Sequence, residues 1–204
     1  MKLMKFAIIK ISKINKKLMT FNEEEILHFM KECFKYCEKA IENGEIPVGC
    51  IFVHNESKEI LYGSHNLTNK KKNANSHCEI NCIKYFEKNL PIKIIIKKND
   101  KEEETIEYKT ITDLLSNCSL FVSCEPCIMC ASALNLVHIS HVYFGCYNEK
   151  FGGNGSIISI HKDPLWPYIS EGGYLEEEAI NYLRNFYAVG NAHAPENKRQ
   201  RKLK

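Results

Sequence analysis

Apolar residues Ile26, Phe29, Met30, Cys33, Cys37, Ala40 and Ile41 recur every three or four positions, which places them on one face of an α-helix. Thr20 with Glu23, or Asn22 with Glu25, can form a capping box at its start, and Asn43-Gly44 ends it. The period then changes. Residues 48–53 and 60–62 are apolar runs separated by the polar segment 54–59, a pattern that predicts a hairpin. A second helix over about 77–87 has Ser76 as a candidate N-cap and should bury Ile80, Ile83 and Tyr85 or Phe86. Residues 119–123 and 141–146 read as strands, and between them lies a helix carrying Ile128, Ala131, Leu134 and Leu136 or Val137. A last helix over 176–187 turns Ala179, Leu183 and Phe186 inward and keeps its acids at the positive N-terminal end. The order β-β-α-β-α-β predicts an α/β sandwich with its site at strand C-terminal ends.

Four segments stand apart from this pattern. Residues 1–19 alternate six lysines with apolar side chains and read as a basic extension, or as a stretch preceding a true start at Met19. Residues of about 88–113 turn to Lys, Glu, Asn and Ile around a charged centre at 97–104; they read as an insertion, ordered in part at most, with residues 92–96 as an edge strand or contact patch. Residues 151–156 are a glycine-rich loop, and residues 191–204 a basic tail. The remaining span, 20–190, is the expected folded domain.

Composition adds limits. A chain of 204 residues with 44% hydrophobic and 26% charged side chains can bury one core. No apolar run approaches the ~20 residues of a membrane span, so no membrane segment is expected. Removing the six lysines of residues 1–19 would turn the net charge of +3 into −3, so overall charge says little about partners. Of the ten cysteines, Cys33 and Cys37 fall on the helical stripe and Cys118 and Cys146 in strand-like runs. They read as buried thiols of an intracellular protein, in the cytoplasm, the nucleus or both, with no clear secretory signal.

The chemistry is concentrated in two places. His77-Cys78-Glu79 offers an imidazole and a carboxylate, and Glu125-Pro126-Cys127-Ile128-Met129-Cys130 offers two thiols three positions apart. His77, Cys127 and Cys130 make three ligands for Zn²⁺, leaving a fourth tetrahedral position for water. Water bound there becomes acidic enough to yield hydroxide near neutral pH, and Glu79 is the carboxylate that can move its proton. Pro126 fits the first position of a helix, which would put both cysteines on one face of the first turn, where the dipole favours thiolate. His-x-Glu followed by Pro-Cys-x-x-Cys is the signature of zinc-dependent nucleobase deaminases. Two other readings use the same residues. Cys124, Cys127 and Cys130 begin a ferredoxin-like iron–sulfur run, but position 134 is Leu. A closed structural zinc would take Cys78 or Cys124 as fourth ligand and leaves Glu79 without a role.

With these residues in view the chain resembles the catalytic subunits of eukaryotic wobble-position tRNA adenosine deaminases, within the cytidine-deaminase-like superfamily. The matching pieces are residues 44–49, Asn66, His77-x-Glu79, residues 124–131, 143–146, 151–153 and 185–187, and residues 191–195 with the basic end. Departures are Cys78 between His77 and Glu79, Asn154 in the glycine loop, and the length of 88–113. The resemblance implies a three-layer α-β-α sandwich with a mixed central sheet of about five strands. It also implies hydrolytic conversion of adenosine to inosine at the first anticodon position of tRNA. Asn66 would then hydrogen-bond the flipped base, and Pro47 and Val48 would line its pocket. It further implies a heterodimer with a deaminase-like subunit 3 lacking the glutamate. Under this reading Lys70, Lys71 and Lys72, and Lys198, Arg199, Arg201, Lys202 and Lys204 in the tail, are candidate contacts to the anticodon stem-loop. A deaminase of free cytosine or deoxycytidylate would share the zinc motif, and a non-catalytic zinc-binding RNA module would not need Glu79.

Overall fold

The computed structural model describes residues 21–99 and 102–189. Helix α1 (Glu23–Glu42) begins at Asn22, whose side chain accepts from the Glu25 amide at 2.9 Å while Glu25 Oε2 accepts from the Asn22 amide at 2.9 Å. This is one of the two expected capping boxes; Thr20, of the other, lies outside the described residues. The helix buries Ile26, Phe29, Met30, Cys33, Phe34, Cys37 and Ala40. Ile41, expected on this stripe, is 42% exposed.

The central sheet has the order β2-β1-β5-β6-β7. Its strands are β1 (Gly49–His54), β2 (Ile60–His65), β5 (Cys118–Cys124), β6 (His141–Cys146) and β7 (Ile169–Gly172). β1 runs antiparallel to β2 and β5, whereas β5, β6 and β7 are parallel. Every residue of β1 and β6 is buried, and only the last residue of β5 is partly open, as strands covered on both faces require. Successive side chains alternate between the two faces. Ile51, Val53, Phe121 and Tyr143 pack with α1 and with α5 (Glu176–Val189), whereas Cys50, Phe52, Leu120, Val122 and Phe144 belong to the opposite core. That second core receives α2 (Cys78–Asn89) and α4 (Ile128–Leu136), completing three layers. α1 lies very close to β1. A Cβ on Gly49 would sit 2.6 Å from Tyr36 Cβ and 2.9 Å from the Cys33 carbonyl oxygen, so only glycine fits that crossing.

Several packing assignments differ from those expected. α2 buries Cys78, Cys82 and Phe86, a four-residue repeat in which the thiols act as small apolar groups; Ile80 and Ile83 are half-buried and Tyr85 is exposed. α4 buries Cys130, Ala131, Leu134 and Asn135 and turns Ile128 and Leu136 outward, 42% and 70% exposed. The largest difference falls in residues 88–113. Strands β3 (Ile92–Asn99) and β4 (Glu102–Tyr108) pair antiparallel, and Ile94, Ile96 and Tyr108 enter the α2/α4 core. Tyr108 Oη lies 2.9 Å from His54 Nε2 on β1, tying the hairpin to the sheet. The short helix α3 (Ile111–Leu115) adds Leu114 and Leu115 to the same core. The charges that suggested surface elaboration occupy outward positions, as in the pairs Lys93–Glu107 at 3.7 Å and Lys98–Glu104 at 2.6 Å.

Candidate active site and metal centre

Helix α2 opens on His77 and α4 on Cys127, both in extended backbone conformation at the N-cap. Ser76 and Pro126 therefore stand one residue before the cap, a shift of one position for Ser76, expected at the cap, and of two for Pro126, expected at the first helical position. Cys127 at the cap and Cys130 in the first turn of α4 still face the same point. His77 Nδ1 lies 3.6 Å from Cys127 Sγ and 3.6 Å from Cys130 Sγ, and the three ligand atoms lie within 4.8 Å of one another. For bonds of about 2.0–2.1 Å to nitrogen and 2.3 Å to sulfur, a tetrahedral ion separates N and S by about 3.6 Å, so the group fits zinc without rearrangement.

The thiols divide their proton unequally. Cys127 is pulled down to about 4, chiefly by a hydrogen bond from Cys130, with His77 contributing, while the same contact pushes Cys130 up. Binding a cation would release the protons that the two thiols hold. His77 is raised mainly by its bond to Cys127. Among the described residues no fourth side chain joins this group. Leu134 is in the apolar core and Cys78 Sγ bonds Glu79 Oε2 at 3.1 Å, so neither a four-cysteine cluster nor a closed site with Cys78 is formed. All ten cysteines are free thiols.

Glu79, 3% exposed, is held above the usual carboxylate range by burial. It shares the wall of a cavity of about 760 Å³ with His77, Cys127, Asn66 and Val48. That volume lies within the range of small-molecule sites. Asn66 is placed by its amide, which donates to the Val48 carbonyl at 3.0 Å, and by its Oδ1, which accepts from the Cys78 amide at 3.1 Å. Asn66 lines the cavity. Pro47, expected in the pocket wall, is buried away from it, and Ile46 lines the cavity instead. The alternation of the strand entry turns successive residues to opposite sides.

Lys70, Lys71 and Lys72 are exposed on the turn between β2 and α2, whose Thr68 and Ala74 border the cavity. Buried Glu45 holds that turn, accepting from Thr68 Oγ1 and from the amides of Asn69 and Lys70. Lys71 Nζ is engaged by Asn81 Oδ1 at 3.1 Å. Lys198, Arg199, Arg201, Lys202 and Lys204 lie outside the described residues. The sequence reading passed over one wall altogether: Tyr147 to Lys150, immediately after β6, and Ile180, Leu183 and Tyr187 of α5. The available signal was a polar segment at the C-terminal end of a parallel strand, where open α/β sheets form their crevices.

A family model described as the cytidine and deoxycytidylate deaminase zinc-binding region matches residues 23–146. The tRNA-specific adenosine deaminase 2 of Xenopus laevis is 36% identical over 185 residues, covering 88% of this chain and 95% of the frog protein. The chain belongs to the tRNA-specific adenosine deaminases. A further relative, the tRNA-specific adenosine deaminase subunit tad2 of Schizosaccharomyces pombe, is 34% identical over 86% of this chain and 41% of the yeast protein. The fold of this deaminase is shared with a solved tRNA:A34 deaminase studied for A-to-I editing at the wobble position, at TM-score 0.58 and 23% identity, covering 76% of this chain and 99% of that one.

Proposed function

We propose that this deaminase converts adenosine to inosine at the wobble position of tRNA, using zinc held by His77, Cys127 and Cys130. The observation that carries the proposal is the three-ligand group beside a buried carboxylate in one cavity wall, in a chain whose relatives are named as tRNA-specific adenosine deaminases. When bound, zinc would supply a water acidic enough to attack a purine carbon near neutral pH. Glu79 would carry one proton of that water to ring N1, where it stays, and then the proton of the new C6 hydroxyl to the departing amino group, so that water and adenosine become inosine and ammonia. Burial favours this role, because a carboxyl raised above its ordinary range can both hold and give up a proton. Asn66, whose Oδ1 is taken by the Cys78 amide, would donate through Nδ2 to the flipped base, and Val48 with Ile46 would supply apolar surface against its ring; their shared place in the cavity lining supports this.

The partners follow from the same reading. An anticodon loop offers dense phosphate and partly unstacked bases, which suits Lys70, Lys71 and Lys72 and the basic residues Lys198, Arg199, Arg201, Lys202 and Lys204. A deaminase-like second subunit is supported by outward-facing Ile128 and Leu136 on α4 and by exposed Ile157, Ile158, Leu165 and Trp166 around the 3₁₀ turn Ile160–Lys162 packed on that helix. An intracellular setting agrees with ten free thiols, and no helix among the described residues is long and apolar enough to cross a membrane.

The test is deamination of a tRNA transcript bearing adenosine at the wobble position, beside free cytidine, deoxycytidylate and guanine, with this chain alone and with a subunit-3-like partner. Inosine at that position supports the proposal. Turnover of a free base or nucleotide without inosine would keep the metal chemistry and overturn the RNA assignment. Removing residues 198–204 should flatten the salt dependence of tRNA binding by about one log unit per lost phosphate contact. An unchanged slope would make the tail a spectator.

A further inference from the structure

Glu125 stands two residues before a ligand cysteine, is 2% exposed, and takes no part in the ligand group. Its carboxylate is occupied by one segment. Oε2 accepts from the Asn148 amide at 2.9 Å and from the Ser156 hydroxyl; Oε1 accepts from the amides of Asn154 at 2.9 Å and Ser156 at 3.1 Å. A carboxylate has about four lone-pair directions, and the 148–156 loop fills them. The loop also closes tightly around it. A Cβ on Gly152 would lie 2.5 to 2.6 Å from the carboxylate atoms of Glu125, a space that admits no side chain.

The same loop is pinned on its other side to the helix bearing the cysteines. The Ile128 amide donates to the Phe151 carbonyl at 2.8 Å, and the Gly153 amide donates to the Pro126 carbonyl at 2.8 Å. Outward, Tyr147, Asn148, Glu149, Lys150 and Phe151 form one wall of the cavity that holds His77 and Glu79. Tyr147 and Phe151 are 51% and 64% exposed, with one edge contact from Tyr147 to Phe144, so side-chain packing holds this wall only in part. Its shape depends on hydrogen bonds of the loop: the Asn148 amide within the wall donates to Glu125, and three further bonds from Asn154 and Ser156 hold the following part of the loop on the same carboxylate.

We infer that Glu125 is a positioning residue for substrate binding: a buried acceptor hub at the cavity's edge that braces the loop behind the 147–151 wall and so sets how tightly the target nucleotide is held. The inference rests on the proposed reaction for its substrate and on the loop geometry for its mechanism, and the two are tested separately. Hydrogen exchange on the zinc-loaded wild type, Glu125→Gln and Ser156→Ala reads the loop without reference to activity. Glu125→Gln turns one acceptor oxygen into a donor facing amide donors, so amides of residues 148 to 156 should lose protection while those of α4 and the zinc content stay as in wild type. Ser156→Ala removes one of the four bonds and should show the same change more weakly; it serves where Glu125→Gln folds poorly.

On the tRNA substrate, Glu125→Gln should raise KM about tenfold or more with kcat within about threefold, a split expected when binding geometry is lost and the reacting groups remain. Unchanged loop protection would overturn the hub. A fall in kcat together with lost zinc and unchanged KM would make Glu125 a support of the metal site and overturn the substrate role. If the wild type fails on tRNA but turns over another substrate, the function proposal falls, and the KM split on that substrate decides the role of Glu125.

Discussion

Replacing Ile94 with alanine asks whether the β3–β4 hairpin belongs to the core or decorates it. Ile94 is 1% exposed, faces Ile106 across the hairpin, and packs in the cluster that contains Phe86, Leu114 and Leu134. Truncation removes three buried carbons, worth about 0.8 kcal/mol each on transfer and together about 2.4 kcal/mol. The cavity left behind adds a further penalty, which puts the total at about 3–4 kcal/mol, inside the range for buried Ile→Ala changes. Ile95 supplies the control. It is the next residue on the same strand but 54% exposed, so Ile95→Ala loses similar strand propensity and little packing, about 1 kcal/mol or less. Equilibrium unfolding in urea with zinc at saturation reads both, and equal m-values keep the comparison one of stability. In thermal scans the difference of about 2–3 kcal/mol should appear as roughly 4–12 °C, at about 2–4 °C per kcal/mol for a chain of this size. Equal, small shifts for the two variants would refute the reasoning and return the hairpin to the surface.

Cys127→Ser and His77→Ala should each lose bound zinc, read by metal analysis after dialysis, whereas Cys78→Ala should retain it; full zinc in either ligand variant would break the assignment. Glu79→Gln should keep zinc and tRNA affinity while turnover falls by a factor of about 10² or more; near-normal turnover would remove Glu79 from the proton path. Gly49→Ala forces a Cβ to within 2.6 Å of Tyr36 and should cost about 1–3 kcal/mol in unfolding experiments; a neutral result would mean that α1 can lift from β1. Burial holds His54 below the ordinary imidazole range, so below about pH 6.5 the unfolded chain binds a proton that the folded chain resists. Its contribution is full above that pH and declines as pH falls, and His54→Gln should flatten the loss of Tm between about pH 7 and 5; an unchanged slope would exonerate this histidine.

The first helix was legible because all its buried positions are apolar at helical spacing, with a box of Asn22 and Glu25 ahead of them. α2 misled because its buried stripe is Cys78, Cys82 and Phe86, while the more conspicuous Ile80 and Ile83 lie at the edge. In the hairpin, lysines and glutamates at alternate outward positions hid a period-two row of Ile92, Ile94 and Ile96. β7, four residues with no buried position, carries no strand pattern that a sequence could announce. At the site, His77, Glu79, Cys127 and Cys130 were readable because local spacing and ligand chemistry name them together. Glu125 was not, since its hydrogen-bond donors lie 23 to 31 residues downstream and only the fold brings them to it. Pro47 and Ile46 were exchanged for a similar reason, because adjacent residues entering a strand face opposite ways and the resemblance alone does not choose between them.

The most direct measurement is inosine at the wobble position of an unmodified adenosine-34 tRNA transcript, read by sequencing after incubation with the zinc-loaded chain and a subunit-3-like partner, with Glu79→Gln as the matched control. Inosine with the wild type and none with the variant is the expected result. No inosine from a folded, zinc-replete wild type, or equal inosine from both proteins, would contradict it.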